Sequence, residues 1–227
     1  MILRVVLPVL LFSLSAAAQV PASRPPFIRA VGNASVSVQP DTVKIDLGVV
    51  TQATTAQAAS SQNSSQTSAV ISALQGLLGA NADIKTLGYS VNPNYSSGVG
   101  GPPTLTGYTV TNSLEVTLTD LSAVGKVIDT AVGAGANNVQ RLDFSLKDDS
   151  SVRQQALRTA SQQALSHANA IASGLNVHTG SVLSASEGTS STPLPVYALA
   201  AGVSSTPIQP GNLVIQATVT LEVQISQ

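Results

Sequence analysis

The chain has 227 residues and carries 10 Lys plus Arg against 11 Asp plus Glu, a formal net charge of −1. Nucleic acid is excluded as an expected partner, because a phosphate backbone is bound by a clustered basic face and these cations are scattered. The chain has no cysteine, which excludes a disulfide framework, a thiol nucleophile and a thiolate metal site. Only 9% of its residues are charged, and such a surface offers little repulsion against self-association.

The first 18 residues have the pattern of a secretory signal peptide. Arg4 precedes an apolar run, and small residues end the segment at Ala18. The run is too short to cross a bilayer, which takes about 20 apolar residues. We expect cleavage after Ala18 and export to a bacterial periplasm, an extended leader over residues 19–29, and one domain over residues 30–227. We expect no membrane span and at most a peripheral association with the envelope.

The domain is predicted to begin with two strands. Apolar residues alternate from Val36, the alternation stops at Pro40-Asp41, and it resumes from Val43 to Val49. A Pro-Asp pair is typical of a tight turn. The pattern therefore predicts a β-hairpin whose turn lies at Pro40-Asp41.

A long helix rich in Ala, Ser and Gln is predicted next. Thr54 or Thr55 can cap its start, and Gly79 ends it. Its strongest apolar stripe begins at Val70, whereas residues 60–68 are nearly all small or polar. Because burial of so little apolar area contributes little stability, we expect residues 60–68 to face solvent or another small-residue surface.

The middle of the chain predicts a strand over residues 84–91, a proline- and glycine-rich loop over residues 92–106, and a strand over residues 108–118. A helix capped by Asp120 and a strand over residues 138–146 follow. Counted from the strand that follows the Pro-Asp turn, the order is strand, helix, strand, strand, helix, strand. This is the split β-α-β, ferredoxin-like order.

The last part of the chain predicts a third helix over residues 151–173, opened by a Ser151-x-x-Gln154 capping box. Strands are predicted over residues 181–187 and 212–225, with a loop containing four prolines between them. The predicted class is α+β, a ferredoxin-like split β-α-β core with an added C-terminal helix and two strands. These additions either extend the same sheet or pack as a second layer.

The chain has two histidines, His167 and His178. They lack the spacing of a zinc site, and no G-x-S-x-G elbow accompanies the abundant serines. His167 lies on the apolar arc of its helix, which predicts a packed structural residue. We therefore expect no catalytic residue, no metal ligand and no cofactor. A hydrolase that uses Ser166 or Ser181 with a histidine is the least favoured alternative.

Three tyrosines, Tyr89, Tyr95 and Tyr108, flank the proline- and glycine-rich loop in a chain that is only 3% aromatic. Because tyrosine combines apolar area with a polar tip, they could line a ligand groove or a subunit contact. Alternatively, they staple the base of the hairpin through cross-strand pairs. Asn112 and Ser64 complete the candidate ligand or interface residues.

Five short blocks stand in a specific order along the chain: Val38-Gln39-Pro40-Asp41-Thr42, Gly107-Tyr108-Thr109-Val110-Thr111-Asn112, Asp129 with Gly133-Ala134-Gly135-Ala136-Asn137, Ala172-Ser173-Gly174-Leu175, and Pro210-Gly211. Together they resemble the SIMPL-domain family, an exported bacterial group that includes periplasmic immunogenic proteins. The resemblance implies an envelope-associated α+β protein linked to envelope or oxidative-stress physiology, without an agreed enzymatic activity and with a tendency to self-assemble. Similar proteins often have a lysine at the position of His167.

The expected function is that of a non-enzymatic exported module that forms a homo-oligomer or binds a partner. We predict that contacts between copies use residues 60–68 or the loop over residues 92–106. The alternative is a small-ligand carrier whose pocket lies near the tyrosine-bearing loop. The ligand itself is left open.

Overall fold

The structure is a computed structural model that describes residues 24–96, 102–188, 194–195 and 208–227. The predicted signal peptide and the first part of the predicted leader lie outside these residues. The described strands are β1 (Phe27–Val38), β2 (Thr42–Ala53), β3 (Asp83–Ser96), β4 (Thr104–Leu118), β5 (Asn138–Ser145), β6 (His178–Glu187), β7 (Leu194–Pro195) and β8 (Leu213–Ser226). The described helices are α1 (Ala56–Leu78), α2 (Val124–Gly133) and α3 (Ser150–Gly174).

The first sheet has the ferredoxin-like arrangement that the sequence predicts. Its strands lie in the order β3-β4-β2-β5 and every pair is antiparallel. The α1 and α2 helices pack on one face of this sheet and enclose the larger hydrophobic core. The fully buried side chains of that core include Val43, Ile45, Leu47, Val49, Val70, Leu74, Val116, Val124 and Val127.

The β1 strand belongs to a second sheet, so the predicted hairpin between the first two strands is wrong. It pairs with β8 along its whole length, from Phe27 opposite Gln224 to Val38 opposite Leu213. The connection at Asp41 is instead held against the end of β5: its backbone N–H donates to Ser145 O at 3.1 Å, and its Oδ1 accepts from Lys147 N at 2.7 Å. Alternation in a sequence identifies a strand but not its partner, and these bonds send β1 and β2 into different sheets.

The C-terminal additions do not extend the first sheet. With β1 they form a second sheet that has a core of its own, and we call this sheet together with α3 the second layer. The order of the second sheet is β1-β8-β6, with β7 also paired to β8. The α3 helix packs on this sheet through alanines spaced four residues apart. These fully or almost fully buried residues are Ala156, Ala160, Ala164, Ala168 and Ala172.

The close approach of α3 to β1 depends on Gly32. A Cβ atom at this position would lie 2.0 Å from Ala160 O and 2.5 Å from Ala164 N, which are backbone atoms of the helix. Gly32 on the strand and the alanines on the helix therefore let the two backbones approach closely. The first core is instead filled by larger side chains. The stability of this layer depends on close packing, because alanine buries little apolar area.

The helix starts agree only in part with the predicted caps. Thr55 caps α1, since its Oγ1 accepts from Ala58 N at 3.2 Å, and Gly79 follows the last residue of the helix with φ 94°. The predicted capping box of α3 is wrong, because the helix begins at Ser150 and its N-cap, Asp149, makes no side-chain cap bond. Asp148 Oδ1 accepts from Ser150 N at 2.9 Å instead.

The long β3–β4 hairpin replaces most of the predicted loop over residues 92–106. β3 continues through Pro93 to Ser96, and β4 begins at Thr104. Pro93 is compatible with a strand here because β3 lies at the end of the sheet order, and a proline on an edge strand need not donate to a neighbour. The later proline-rich loop lies mostly outside the described residues. No described helix meets the length and apolarity needed to cross a membrane.

Replacing Gly32 by alanine tests the close helix–strand contact. We expect Gly32→Ala to lower the free energy of unfolding by about 3 kcal/mol, the upper end of the usual cost of overpacking, because the added methyl group meets the backbone of α3. Urea unfolding followed by circular dichroism measures this change. The control is Gly76→Ala in α1, where a Cβ meets nothing within 4 Å and alanine should stabilise the helix by about 0.5–1 kcal/mol. Equal effects of the two substitutions would contradict the interpretation.

Candidate functional site

An open cleft of about 460 Å³ lies between the first half of α1 and the β3–β4 hairpin. We call it the serine cleft. Its lining residues are Ser60, Ser61, Asn63, Ser64, Thr67, Ser68, Tyr89 and Asn112. Three residues that the sequence analysis selected, Ser64, Tyr89 and Asn112, are therefore brought together from three different elements.

The strand side of the cleft follows from the register of the hairpin. Tyr89 and Asn112 lie directly opposite each other in the β3–β4 ladder. Residues directly opposite on paired strands point to the same face of the sheet, and Asn112 shares the helix-facing side of β4 with the buried Val110 and Leu114. The Tyr89 side chain is nevertheless 54% exposed, because α1 lies mainly over β2 and β4.

The helix side of the cleft is held by a buried amide. Asn63 is completely buried, and its Nδ2 donates to Val49 O at 2.8 Å and to Val110 O at 3.3 Å. Thr67 Oγ1 donates to Asn63 Oδ1 at 3.4 Å. These bonds tie α1 to β2 and β4 at the point where the apolar contacts of the helix run out.

The prediction that residues 60–68 face only solvent or small residues is therefore wrong for their inner side. Asn63 and Thr67 are buried, although Ser61, Ser64 and Ser68 are exposed as expected. A polar residue usually indicates a solvated face, so the burial of Asn63 and Thr67 was not expected. A usable sign was present in the spacing, because Asn63 and Thr67 continue the row of Val70 and Leu74 towards the start of the helix at intervals of three or four residues.

Asn112 contributes an unusual group to the cleft. Its Oδ1 is buried and has no hydrogen-bond partner, which is true of no other buried side-chain nitrogen or oxygen that the structure describes. A buried polar atom left without a partner costs about 1–3 kcal/mol. Such atoms are rare in folded proteins, and because this oxygen is itself buried, a group in the cleft reaches it only after the side chain turns.

The other two selected tyrosines lie outside the serine cleft. Tyr95 is opposite Leu105 and is 60% exposed, and Tyr108 is half-buried opposite Pro93. No two of these three tyrosines are directly opposite each other in the ladder. The selected residues thus divide into a group at the cleft and a group nearer the tip of the hairpin.

The two histidines lie elsewhere and are exposed. His167 Nδ1 is 2.8 Å from Val31 O, and since a carbonyl can only accept, Nδ1 carries the proton. The expected burial of His167 is wrong, because α3 buries only its alanine row. Ser181 Oγ donates to Gln224 Oε1 at 3.3 Å. Of the groups that the hydrolase alternative names, His167 and Ser181 thus bond to other partners.

The charged groups with shifted pKa values lie in pairs and caps. Hydrogen bonds from Arg29 and then Ser184 hold the pKa of Glu222 below its ordinary value, and a hydrogen bond from Lys85 lowers the pKa of Asp83. No charged side chain lines the serine cleft. Nowhere in the described ranges do three or more His, Asp or Glu side chains gather closely enough to hold a metal ion.

Two blocks on which the family resemblance rests have clear structural roles. The Asn137 side-chain amide bonds to the backbone of Val50 as a neighbouring strand would. Its Oδ1 accepts from Val50 N at 2.9 Å and its Nδ2 donates to Val50 O at 2.7 Å. Gly107 allows β4 to pass close to Ala53, whose carbonyl oxygen would be 2.7 Å from a Cβ atom at this position. These residues shape the fold, and the cleft lies between elements that they position.

Removing the buried amide tests how the cleft is held. We expect Asn63→Ala to lower the free energy of unfolding by about 2–3 kcal/mol, because it removes three hydrogen bonds and leaves a cavity. Gln62→Ala is the matched control, since Gln62 is exposed on the same helix turn and its replacement should change stability by less than about 0.5 kcal/mol. Chemical denaturation measures both. A loss for Asn63→Ala no larger than that of the control would show that the amide does not hold the helix.

Comparison with known proteins identifies the family to which the chain belongs. The matching family model is SIMPL, described as a protein of unknown function (DUF541), and it covers residues 28–223. A 26 kDa periplasmic immunogenic protein of Brucella melitensis is 30% identical over 169 residues, which are 73% of this chain and 68% of that protein. The uncharacterized protein YggE of Escherichia coli (strain K12) is 28% identical over 159 residues, 70% of this chain and 64% of that protein. The family model spans most of the chain, and the chain therefore belongs to the SIMPL family.

Proposed function

We propose that this chain is a non-enzymatic exported protein of the bacterial periplasm or envelope that associates with further copies of itself. Export is supported by the pattern of the first 18 residues and by the similarity to the Brucella relative, which is named a periplasmic immunogenic protein. A connection with envelope or oxidative-stress physiology follows from the family resemblance alone. The structure contributes the surface through which the copies would meet.

The observation that carries the proposal is the apolar edge of the β3–β4 hairpin. Leu87, Val91, Tyr95 and Leu105 are exposed by 54%, 39%, 60% and 46%. We call these four residues the hairpin surface. Exposed apolar patches are typical of protein–protein contacts, and within this set Tyr95 and Leu105 lie directly opposite each other on the two strands.

The backbone of the same strand is also available for pairing. β3 is at the end of the sheet order, so one of its sides has no neighbouring strand in the part of the chain that the structure describes. Edge strands are commonly protected by charged residues, but the charged residues of β3, Asp83 and Lys85, stand together at its start. The same uncharged edge on a second copy is a complementary partner for self-association.

The non-enzymatic part of the proposal rests on the chemistry of the serine cleft. Its lining offers hydroxyl groups and amides but no imidazole, carboxylate or amine. General acid–base catalysis most often uses an imidazole, and otherwise chiefly a carboxylate or an amine, within hydrogen-bond reach of the substrate, so Tyr89 is the one lining residue that could take part. A binding role is the better match for such a lining.

The mass of the chain in solution tests self-association. We expect light scattering on residues 19–227 to give a discrete multimer that persists on dilution, and the double variant Tyr95→Ser, Leu105→Ser to give a smaller mass because it removes the exposed apolar pair. The control is Leu175→Ser after the end of α3, since Leu175 is also 61% exposed but lies on the second layer. A monomeric wild-type chain, or a double variant with unchanged mass, would contradict the proposal.

A second candidate function is that of a small-ligand carrier, and the neutral, polar lining of the serine cleft favours it. We expect a metabolite that occupies the cleft to raise the Tm, because a ligand bound only to the folded state stabilises that state. A thermal-shift screen of periplasmic metabolites measures this effect, and Ser64→Trp, which places a large side chain in the cleft, should abolish it. A library that leaves the Tm unchanged in every well would count against the carrier.

A further inference from the structure

The chemistry of the serine cleft differs from that of three other surface depressions. One of them contains Asp83, Asp120 and Lys147, a second contains Arg24 and Glu222, and a third contains His178. The serine cleft combines an exposed aromatic ring with hydroxyl groups and amides and has no titrating group beyond the tyrosine itself. Its lining therefore defines the chemical class of what it can bind.

We propose that the serine cleft binds a neutral, polyhydroxylated ligand of the class of a sugar ring, which packs one face on Tyr89 and directs its hydroxyl groups to α1 and Asn112. This inference rests on the carrier candidate and names its ligand class. The volume of about 460 Å³ falls within the range of about 300–1,000 Å³ that is typical of small-molecule sites.

The Tyr89 ring provides the apolar side of the site. It is 54% exposed and stands at the strand side of the cleft. A sugar ring carries an apolar face of C–H groups between its polar edges, and an aromatic ring is a large rigid surface on which such a face can pack. A ligand polar on all sides would leave the exposed ring without a contact, and a wholly apolar ligand would leave the hydroxyl groups without partners.

The helix provides the polar side of the site. Ser60, Ser64 and Ser68 are spaced four residues apart, so they lie along one face of α1, and all three line the cleft. A serine hydroxyl both donates and accepts, as does each hydroxyl of a sugar. The lining can therefore match a ring with several hydroxyl groups in more than one orientation.

The absence of charge in the lining argues against an ionic ligand. A phosphate or carboxylate that enters the cleft loses hydration, and no lysine, arginine or histidine among the lining residues replaces it. Asn112 belongs to the same neutral lining, because a side-chain amide can present either a donor or an acceptor after rotation about its terminal torsion.

The test uses the full mature chain, residues 19–227, with maltose and N,N′-diacetylchitobiose as neutral probes and glucose 6-phosphate as the charged comparison. Saturation-transfer NMR detects contact and calorimetric titration gives the Kd. We expect at least one neutral sugar to bind and to bind more tightly than glucose 6-phosphate. Tyr89→Leu should weaken that binding about ten-fold, because it removes the aromatic platform, and Ser64→Trp should abolish it.

The matched control is Tyr108→Leu, which makes the same substitution on the neighbouring strand β4, outside both the serine cleft and the hairpin surface, and should leave the Kd unchanged. Circular dichroism and the Tm verify that each variant is folded. Absence of transfer from both neutral sugars, equal or tighter binding of glucose 6-phosphate, or an unchanged Kd in Tyr89→Leu would each overturn the inference. If a metabolite of another class raises the Tm of the wild-type chain but not of Ser64→Trp, the carrier candidate survives while the sugar class falls.

Discussion

A buried amide ties the first half of α1 to the first sheet. Asn63 donates to carbonyl oxygens on both β2 and β4, so the helix is tied to two neighbouring strands at a point where it has no large apolar side chain to bury. A buried polar group is tolerated only when its hydrogen bonds are satisfied, which fixes the distance and the rotation of the helix. The outer side of the same turns then carries the serines, and the serine cleft exists because the helix is held there and nowhere closer to β3.

The two layers of the molecule use different means to pack a helix on a sheet. The first core is filled by Val, Ile and Leu side chains, whereas α3 presses a row of alanines against Gly32 and its neighbours. Large side chains give more stabilisation per residue, but small ones allow the backbones to approach closely. The connection at Asp41 links the layers, since it directs β1 to the second sheet while its hydrogen bonds hold it to the end of β5.

Much of the fold could be predicted from the sequence, because periodicity and caps are local. The alternation in β4, the cap at Thr55 and the ferredoxin-like order are of this kind. The partner of β1 could not be predicted, since pairing of Phe27 with Gln224 joins residues almost 200 positions apart in the sequence and no local pattern encodes that choice. The candidates Ser64, Tyr89 and Asn112 do meet in one cleft. Asn63, which holds the helix there, was missed because a polar residue usually indicates a solvated face, and only its helical spacing from Val70 and Leu74 indicated burial.

The hairpin presents two surfaces that are adjacent and chemically distinct. Tyr89 belongs to the serine cleft, while Val91 and Tyr95, further along the same strand, belong to the hairpin surface. A second copy that pairs with the edge of β3 would cover apolar area beside the cleft and would narrow its opening. Ligand binding and self-association would then be thermodynamically linked, because whichever state holds the ligand more tightly is favoured when the ligand is present. If Tyr89 stays accessible when copies meet, the ligand can bind the oligomer; if Tyr89 is covered, the ligand favours the monomer. The exposed Tyr89 ring therefore connects ligand binding with self-association.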